Sequence, residues 1–153
     1  MEGRLKTVPR EQVLAGEDIF RILPQRPPML MVDSFYGMEG AKAYCGLTVE
    51  QDNVFCLGGK FIEIGILEHA AQSVAAMSGY RNSLQDLPPE LGFIGEVKSF
   101  RVSFLPKAGD VLMTEVEEKV SVLGTILAGV RVYCSGETVA EGELKLALVG
   151  NEG

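Results

Sequence analysis

Residues 61–79 are the one stretch of this chain suited to a long helix, and that restricts the fold more than any other feature. The run "FIEIGILEHAAQSVAAMSG" is free of proline and rich in alanine. Both traits favour a helix, while Gly65 and Gly79 weaken its ends. The flanking sequence reads differently. Ala43, Cys45, Leu47 and Val49 alternate in "AYCGLTVE" as in a half-buried strand. After the helix, Phe100, Val102 and Phe104 alternate with Arg101 and Ser103. Ile126, Ala128, Val130, Val132 and Cys134 form the next alternating set, and Leu144, Leu146 and Leu148 the last. Turns at "PKAGD" (106–110), Leu123-Gly124 and "SGET" (135–138) are short, and the last two suit antiparallel hairpins. In "ILPQRPPMLMVDSF" (22–35), Pro24, Pro27 and Pro28 forbid a regular helix, and a strand is expected to begin near Met31. "NSLQDLPPE" (82–90) ends the helix. The sum is two strands, one helix and four antiparallel strands, an α+β pattern with a sheet wrapped around a single helix.

A chain of 153 residues, 46% of them hydrophobic, fills one core and hardly two. Residues 1–18 read as a polar arm or short lead-in helix, and 19–150 as the single domain. The net charge of -7 argues against a nucleic-acid partner, which requires a basic footprint. It does not exclude an acidic protein partner, because docking depends on a local patch. Three scattered cysteines show neither zinc-site nor disulfide spacing, so no metal and no cofactor is expected. The charged start lacks the apolar core of a signal peptide, and no run reaches the roughly 20 apolar residues of a membrane span. A cytoplasmic protein is the expectation.

Within the helix, "GILEHAAQSVAA" (65–76) sets Glu68 beside His69, the only histidine of the chain. At about 100° per residue, Glu68 shares a face with Ile64, Gly65, Gln72 and Ala75. His69 lies about a quarter turn away, near Ile62, Ser73 and Ala76. Adjacent helical residues do not face each other, so these two side chains alone make no dyad. Glu68 is the expected functional group, being costly to bury unpartnered and poorly placed for a solvated stripe. For His69 the ordinary reading is a satisfied core or interface residue.

"ILPQRPPMLMVDSF", "GILEHAAQSVAA" and "GFIGEVKSFRVSFLPKAGDVL", in that order, together with the closing "SGETVAEGELKLAL", resemble the hotdog-fold 3-hydroxyacyl-acyl-carrier-protein dehydratases. The detail is nearest the branch associated with aryl-polyene and related pigment clusters, and the resemblance covers about residues 19–148. It implies a dimer joined edge to edge, with two acyl sites at the interface. There a helical acid works with a histidine of the other subunit. Glu68 falls on that acid, and Gln72 on a glutamine one turn later that orients the carboxylate or contacts substrate. The sequence departs from the family where the main branch has Gly-His-Phe-Pro. Here "LGGKFIEIG" has Lys60 after Gly59, and the early "LPHR" is "LPQR", with Gln25. The usual catalytic histidine is therefore missing from its expected places.

Dehydrating a 3-hydroxyacyl thioester needs a base at C2, an acid for the C3 hydroxyl, and donors for the thioester oxygen. Backbone N–H groups near Ile64 and Gly65, at the positive end of the helix, are the expected donors. For the missing group the candidates are His69 across the dimer axis, Glu63 as a second carboxylate, and Lys60. Glu68 acting in both steps is a further possibility. The ordinary alternatives are a dipole-stabilising charge for Glu63 and a solvated side chain for Lys60. Lys98, Arg101 and Lys107 would form either a basic patch for an acidic carrier or an ordinary outer strand face. Met29, Met31 and Phe35 would line an acyl tunnel or belong to the core.

The expected function is thus a 3-hydroxyacyl-thioester dehydratase acting on acyl-ACP or acyl-CoA. Its rivals are a thioesterase and a non-catalytic acyl- or ACP-binding subunit. The expected assembly is a homodimer or higher oligomer, or a heterodimer with a histidine-bearing hotdog partner.

Overall fold

The two tight turns at Leu123-Gly124 and Ser135-Gly136 set the scaffold of the computed structural model, which describes residues 11–149. All four turn residues have positive φ, at 50° and 78°, then 53° and 81°. Two successive left-handed residues match the right-handed twist of the strands they join. They link β7 (Val111–Val122), β8 (Thr125–Cys134) and β9 (Glu137–Val149) into an antiparallel meander. On the far side of β9 lies β6 (Leu91–Val102). Beyond β7 lie β3 (Lys42–Thr48), β2 (Ser34–Glu39) and the two-residue β1 (Leu14–Ala15), completing the order β1-β2-β3-β7-β8-β9-β6. A small hairpin, β4 (Cys56–Leu57) and β5 (Lys60–Phe61), leads into the helix α1 (Glu63–Ser83).

The helix lies in the concavity of this sheet. Phe35, Cys45, Thr114, Val132 and Ala140 are in register across five strands, and all are buried. Apart from Phe35 these side chains are small, so the helix can approach closely. On α1, Ala70, Ala71, Ser73, Ala75 and Ala76 are buried as well. The other side of the helix is covered by the segment preceding β2. There Ile19, Ile22, Leu23, Met31 and Val32 are fully buried. This strap begins with a 3₁₀ helix, Gly16–Arg21. It approaches so closely that a Cβ on Gly79 would stand 1.9 Å from the Ile22 carbonyl oxygen. A helix enclosed by sheet and strap shows no one-sided apolar stripe, which is why its sequence looked uniformly slim.

Several boundaries differ from expectation. The helix spans 63–83 and not 61–79, because packing against the strap overrides the weakness of Gly79. The strand expected from Met31 starts at Ser34, since residues 29 to 31 are held by helix side chains. β6 runs from Leu91 to Val102 and ends before Phe104. Tyr44 is buried although it belongs to the outer set of β3. Of the expected arm, 1–18, residues 1–10 lie outside the described residues. Leu14 and Ala15 pair with Phe35 and Ser34.

Candidate active site

The first turn of α1 is shaped by two phenylalanines. Phe55 and Phe61 pack so tightly on Gly65 that a Cβ there would lie 2.6 Å from Phe55 Cβ. Ile62 stands at the N-cap without a side-chain cap. Its carbonyl accepts from the N–H of Gly65 (2.9 Å) and of Ile66 (3.1 Å). The expected donor at Gly65 is therefore already engaged. Among the described residues, the N–H groups of Glu63 and Ile64 make no hydrogen bond, so the donor pair at the positive helix end moves one residue toward the N-terminus. Glu63 and Ile64 are both exposed, Ile64 by 58%.

One turn further, Glu68 is half-buried. Its Oε2 accepts from Gln72 Nε2 at 2.9 Å, and Oε1 has no partner among the described residues. Gln72 is only 2% exposed, and its amide is fully used. Nε2 also donates to the Met29 carbonyl (3.0 Å), and Oε1 accepts from the Met31 N–H (2.6 Å). A neutral amide thus fixes one carboxylate oxygen and leaves the other for a proton transfer.

His69 points the other way, as the helical geometry requires. It is fully buried. Its Nδ1 donates to the Met31 carbonyl at 2.7 Å. A carbonyl only accepts, so Nδ1 carries the proton, and in the neutral ring Nε2 accepts from the Thr114 hydroxyl, also at 2.7 Å. Burial pushes the imidazole below its usual pKa, against a smaller upward pull from the Met31 carbonyl and Asp33. The ring is enclosed and both of its nitrogens are engaged within the chain, which leaves no free nitrogen for the catalytic role considered for it.

The remaining candidates are separate from Glu68. Lys60 and Glu63 are exposed, and neither forms a hydrogen bond or ion pair with Glu68. Lys60 stands opposite Lys107 in an isolated β-bridge. Lys98 and Arg101 face Glu143 and Glu141 across the strand pair. Arg101 borders an outer-face groove shared with Lys42, Glu115, Glu117 and Arg131, where charges of both signs alternate. That is a mixed charged face and not a basic patch. Met31 and Phe35 are core. Met29 is 47% exposed and sits at the rim, its carbonyl held by Gln72.

Thr114 was missed in the sequence. The signal was a single hydroxyl between Leu112 and Val116 in an apolar alternation, in a chain whose lone buried histidine needs a second partner. Among the described residues, no cluster of His, Cys, Asp and Glu is arranged to hold a metal ion.

Among the described residues, a seven-stranded antiparallel sheet closed around one helix, with a carboxylate one turn beyond the helix start, defines the α+β hotdog class. Within it, the family model described as ApeP-like, ApeP dehydratase, matches residues 17–149, and the chain belongs to that family. It is 30% identical over 139 residues to the 3-hydroxyacyl-[acyl-carrier-protein] dehydratase FabZ of Ruminiclostridium cellulolyticum, covering 89% of this chain and 98% of that protein. The FabZ of Caldicellulosiruptor saccharolyticus is 32% identical over 136 residues, covering 85% and 95% respectively. The solved dehydratase heterocomplex ApeI:P from Xenorhabdus doucetiae shares the fold at a TM-score of 0.81. It is 19% identical and is matched over 90% of this chain and 93% of that one.

Proposed function

We propose that this chain is a dehydratase subunit acting on 3-hydroxyacyl thioesters of an acyl carrier protein, with Glu68 exchanging a proton with the substrate. The observation that carries this reading is the state of Glu68. One oxygen is fixed by Gln72, the other is unengaged, and the carboxylate lies one turn from two unbonded N–H groups at the helix start. In the reaction, the proton leaves C2, and the C3 hydroxyl departs as water after protonation, giving the 2-enoyl thioester. Glu68 supplies one of these two proton transfers, and the N–H groups of Glu63 and Ile64 receive the thioester oxygen as negative charge develops there. Dehydratase relatives support dehydration over thioester hydrolysis.

The second proton transfer comes from a partner. The only histidine of the chain is enclosed and doubly bonded, and the exposed Glu63 and Lys60 belong to the surface around the helix entrance. A histidine-bearing hotdog subunit, joined along the exposed edge of β6, would complete the site. The adjacent Lys60 and Lys107, which enter no ion pair among the described residues, suit contact with an acidic carrier near that entrance.

The test is mass spectrometry of 3-hydroxyacyl-ACP incubated with the chain, alone and mixed with a histidine-bearing hotdog protein. Loss of water is expected in the mixture and is lost in Glu68→Gln, by about 10²–10⁴ in rate. Release of free acid and thiol in place of water would overturn the reading in favour of a thioesterase. Full dehydration by the chain alone would remove the need for a partner.

A further inference from the structure

A buried imidazole is an expensive way to fill space under a helix whose neighbours are alanine and serine. Its desolvation is repaid only by its two hydrogen bonds. Those bonds have a direction. Thr114, on the concave face of the central strand β7, donates to His69 Nε2. His69 Nδ1 donates to the Met31 carbonyl. The other backbone group of Met31, its N–H, donates to Gln72 Oε1, and Gln72 Nε2 donates to Glu68. Each link is between 2.6 and 2.9 Å. A continuous polar chain therefore runs from the sheet, through the strap, to the carboxylate.

The strap also decides which way the Gln72 amide faces. A side-chain amide can turn over, and turned over it would aim Oε1 at Glu68, oxygen against oxygen. The Met31 N–H can donate only when Oε1 is turned toward it, and the Met29 carbonyl can accept only when Nε2 is turned toward it. Gln72 donates to Glu68 because residues 29–31 lie where they do. Met31 in turn is held by the His69 Nδ1–H on its carbonyl, with Asn53 Nδ2 on its sulfur as a side tether at 3.4 Å.

We propose that His69 is a positioning residue for Glu68, acting through Met31 and Gln72 and never touching substrate. The role rests on the reading of Glu68 as the proton-transferring group. Only the Nδ1–H bond to Met31 is required for it. Asparagine at 69 can place its amide nitrogen near the same point, whereas leucine fills the volume and offers no donor.

Two measurements on the full-length protein test this. The first is nuclear magnetic resonance of the isolated chain, which needs no activity. Wild type should show His69 as the Nδ1–H tautomer and two distinct, slowly exchanging Gln72 amide protons. Those amide signals persist in His69→Asn and are lost in His69→Leu. The second is kinetics of the complete dehydratase. His69→Leu should lower kcat by about 100-fold at nearly unchanged KM, while His69→Asn stays within about threefold of wild type, as expected for an ångström-scale displacement of a reacting group. A merely structural histidine predicts the reverse ranking, since asparagine leaves the larger cavity and an extra polar group. Gln72 signals unaltered in His69→Leu would overturn the relay. Should that variant not fold, His69→Gln, whose amide nitrogen falls near the Nε2 position and leaves Met31 without its donor, serves instead, and unaltered Gln72 signals with full kcat would overturn the relay equally. Absence of dehydration in wild type would fail the functional reading alone, and the resonance comparison would still decide the relay.

Discussion

At the scale of single residues, His69 sets a stability that depends on pH. Its native pKa lies below the ordinary 6.5, chiefly because burial disfavours the imidazolium. The unfolded chain therefore binds more protons than the native one when the pH falls below about 6.5. The stabilising contribution is whole above that value and declines as the pH drops toward the native pKa, at up to about 1.4 kcal/mol per pH unit. Urea midpoints taken at pH 7.5 and pH 5 should fall more steeply for wild type than for His69→Asn, which has nothing to protonate there. Equal declines would show that other groups govern acid unfolding. The buried Cys45, by contrast, is pushed up to about 12 by desolvation and stays a neutral thiol throughout this range. The divergence of Glu68 and His69 was legible from 100° per residue alone. Their partners were not, because Met31 and Thr114 lie 38 and 45 residues from His69 and no local pattern links them.

At the scale of elements, the strap decides where the helix ends and where β2 begins. The hairpins were readable because Gly124 and Gly136 supply left-handed backbone that few other residues adopt. The strap was not, because a proline-rich segment has no period, and its backbone groups are satisfied by distant side chains. Gly79 records the contact. In a free helix, Gly79→Ala would be stabilising by about 1 kcal/mol. Here the added Cβ meets the Ile22 carbonyl, a backbone atom that cannot move without displacing the strap. Overpacking of this kind costs about 1–3 kcal/mol or more, so the clash wins and the expected net effect is destabilisation. Chemical denaturation should show a lower midpoint for Gly79→Ala. A higher midpoint would mean that the strap is free to lift from the helix. Any lifting also disturbs residues 29–31, so the dehydration rate should fall with it.

At the scale of the whole molecule, the two edges of the sheet are unequal. One ends in β1, two residues long. The other is β6, twelve residues long and, among the described residues, paired on one side only, with β9. Proteins usually protect such an edge with charge, proline or brevity. β6 instead exposes Leu91, Phe93, Ile94 and Val97, with Phe93 at 53%. A long, apolar, half-paired strand is a pairing surface, and under the proposed function it is where the histidine-bearing subunit adds its own sheet. Phe93→Glu places a charge on that edge, and burying it unpaired in an interface would cost several kcal/mol. The substitution is exposed in the single chain, so folding should be little affected. Light scattering after size-exclusion chromatography should then give the monomer mass of the variant, and its dehydration in the mixture should disappear with the complex. Leu123→Glu is the control, since Leu123 is 99% exposed at the β7–β8 turn, which β9 separates from β6. Its mass and activity should match wild type. Dissociation by Leu123→Glu but not by Phe93→Glu would move the interface from the β6 edge to the hairpin tip, and would leave the exposed apolar edge without its occupant.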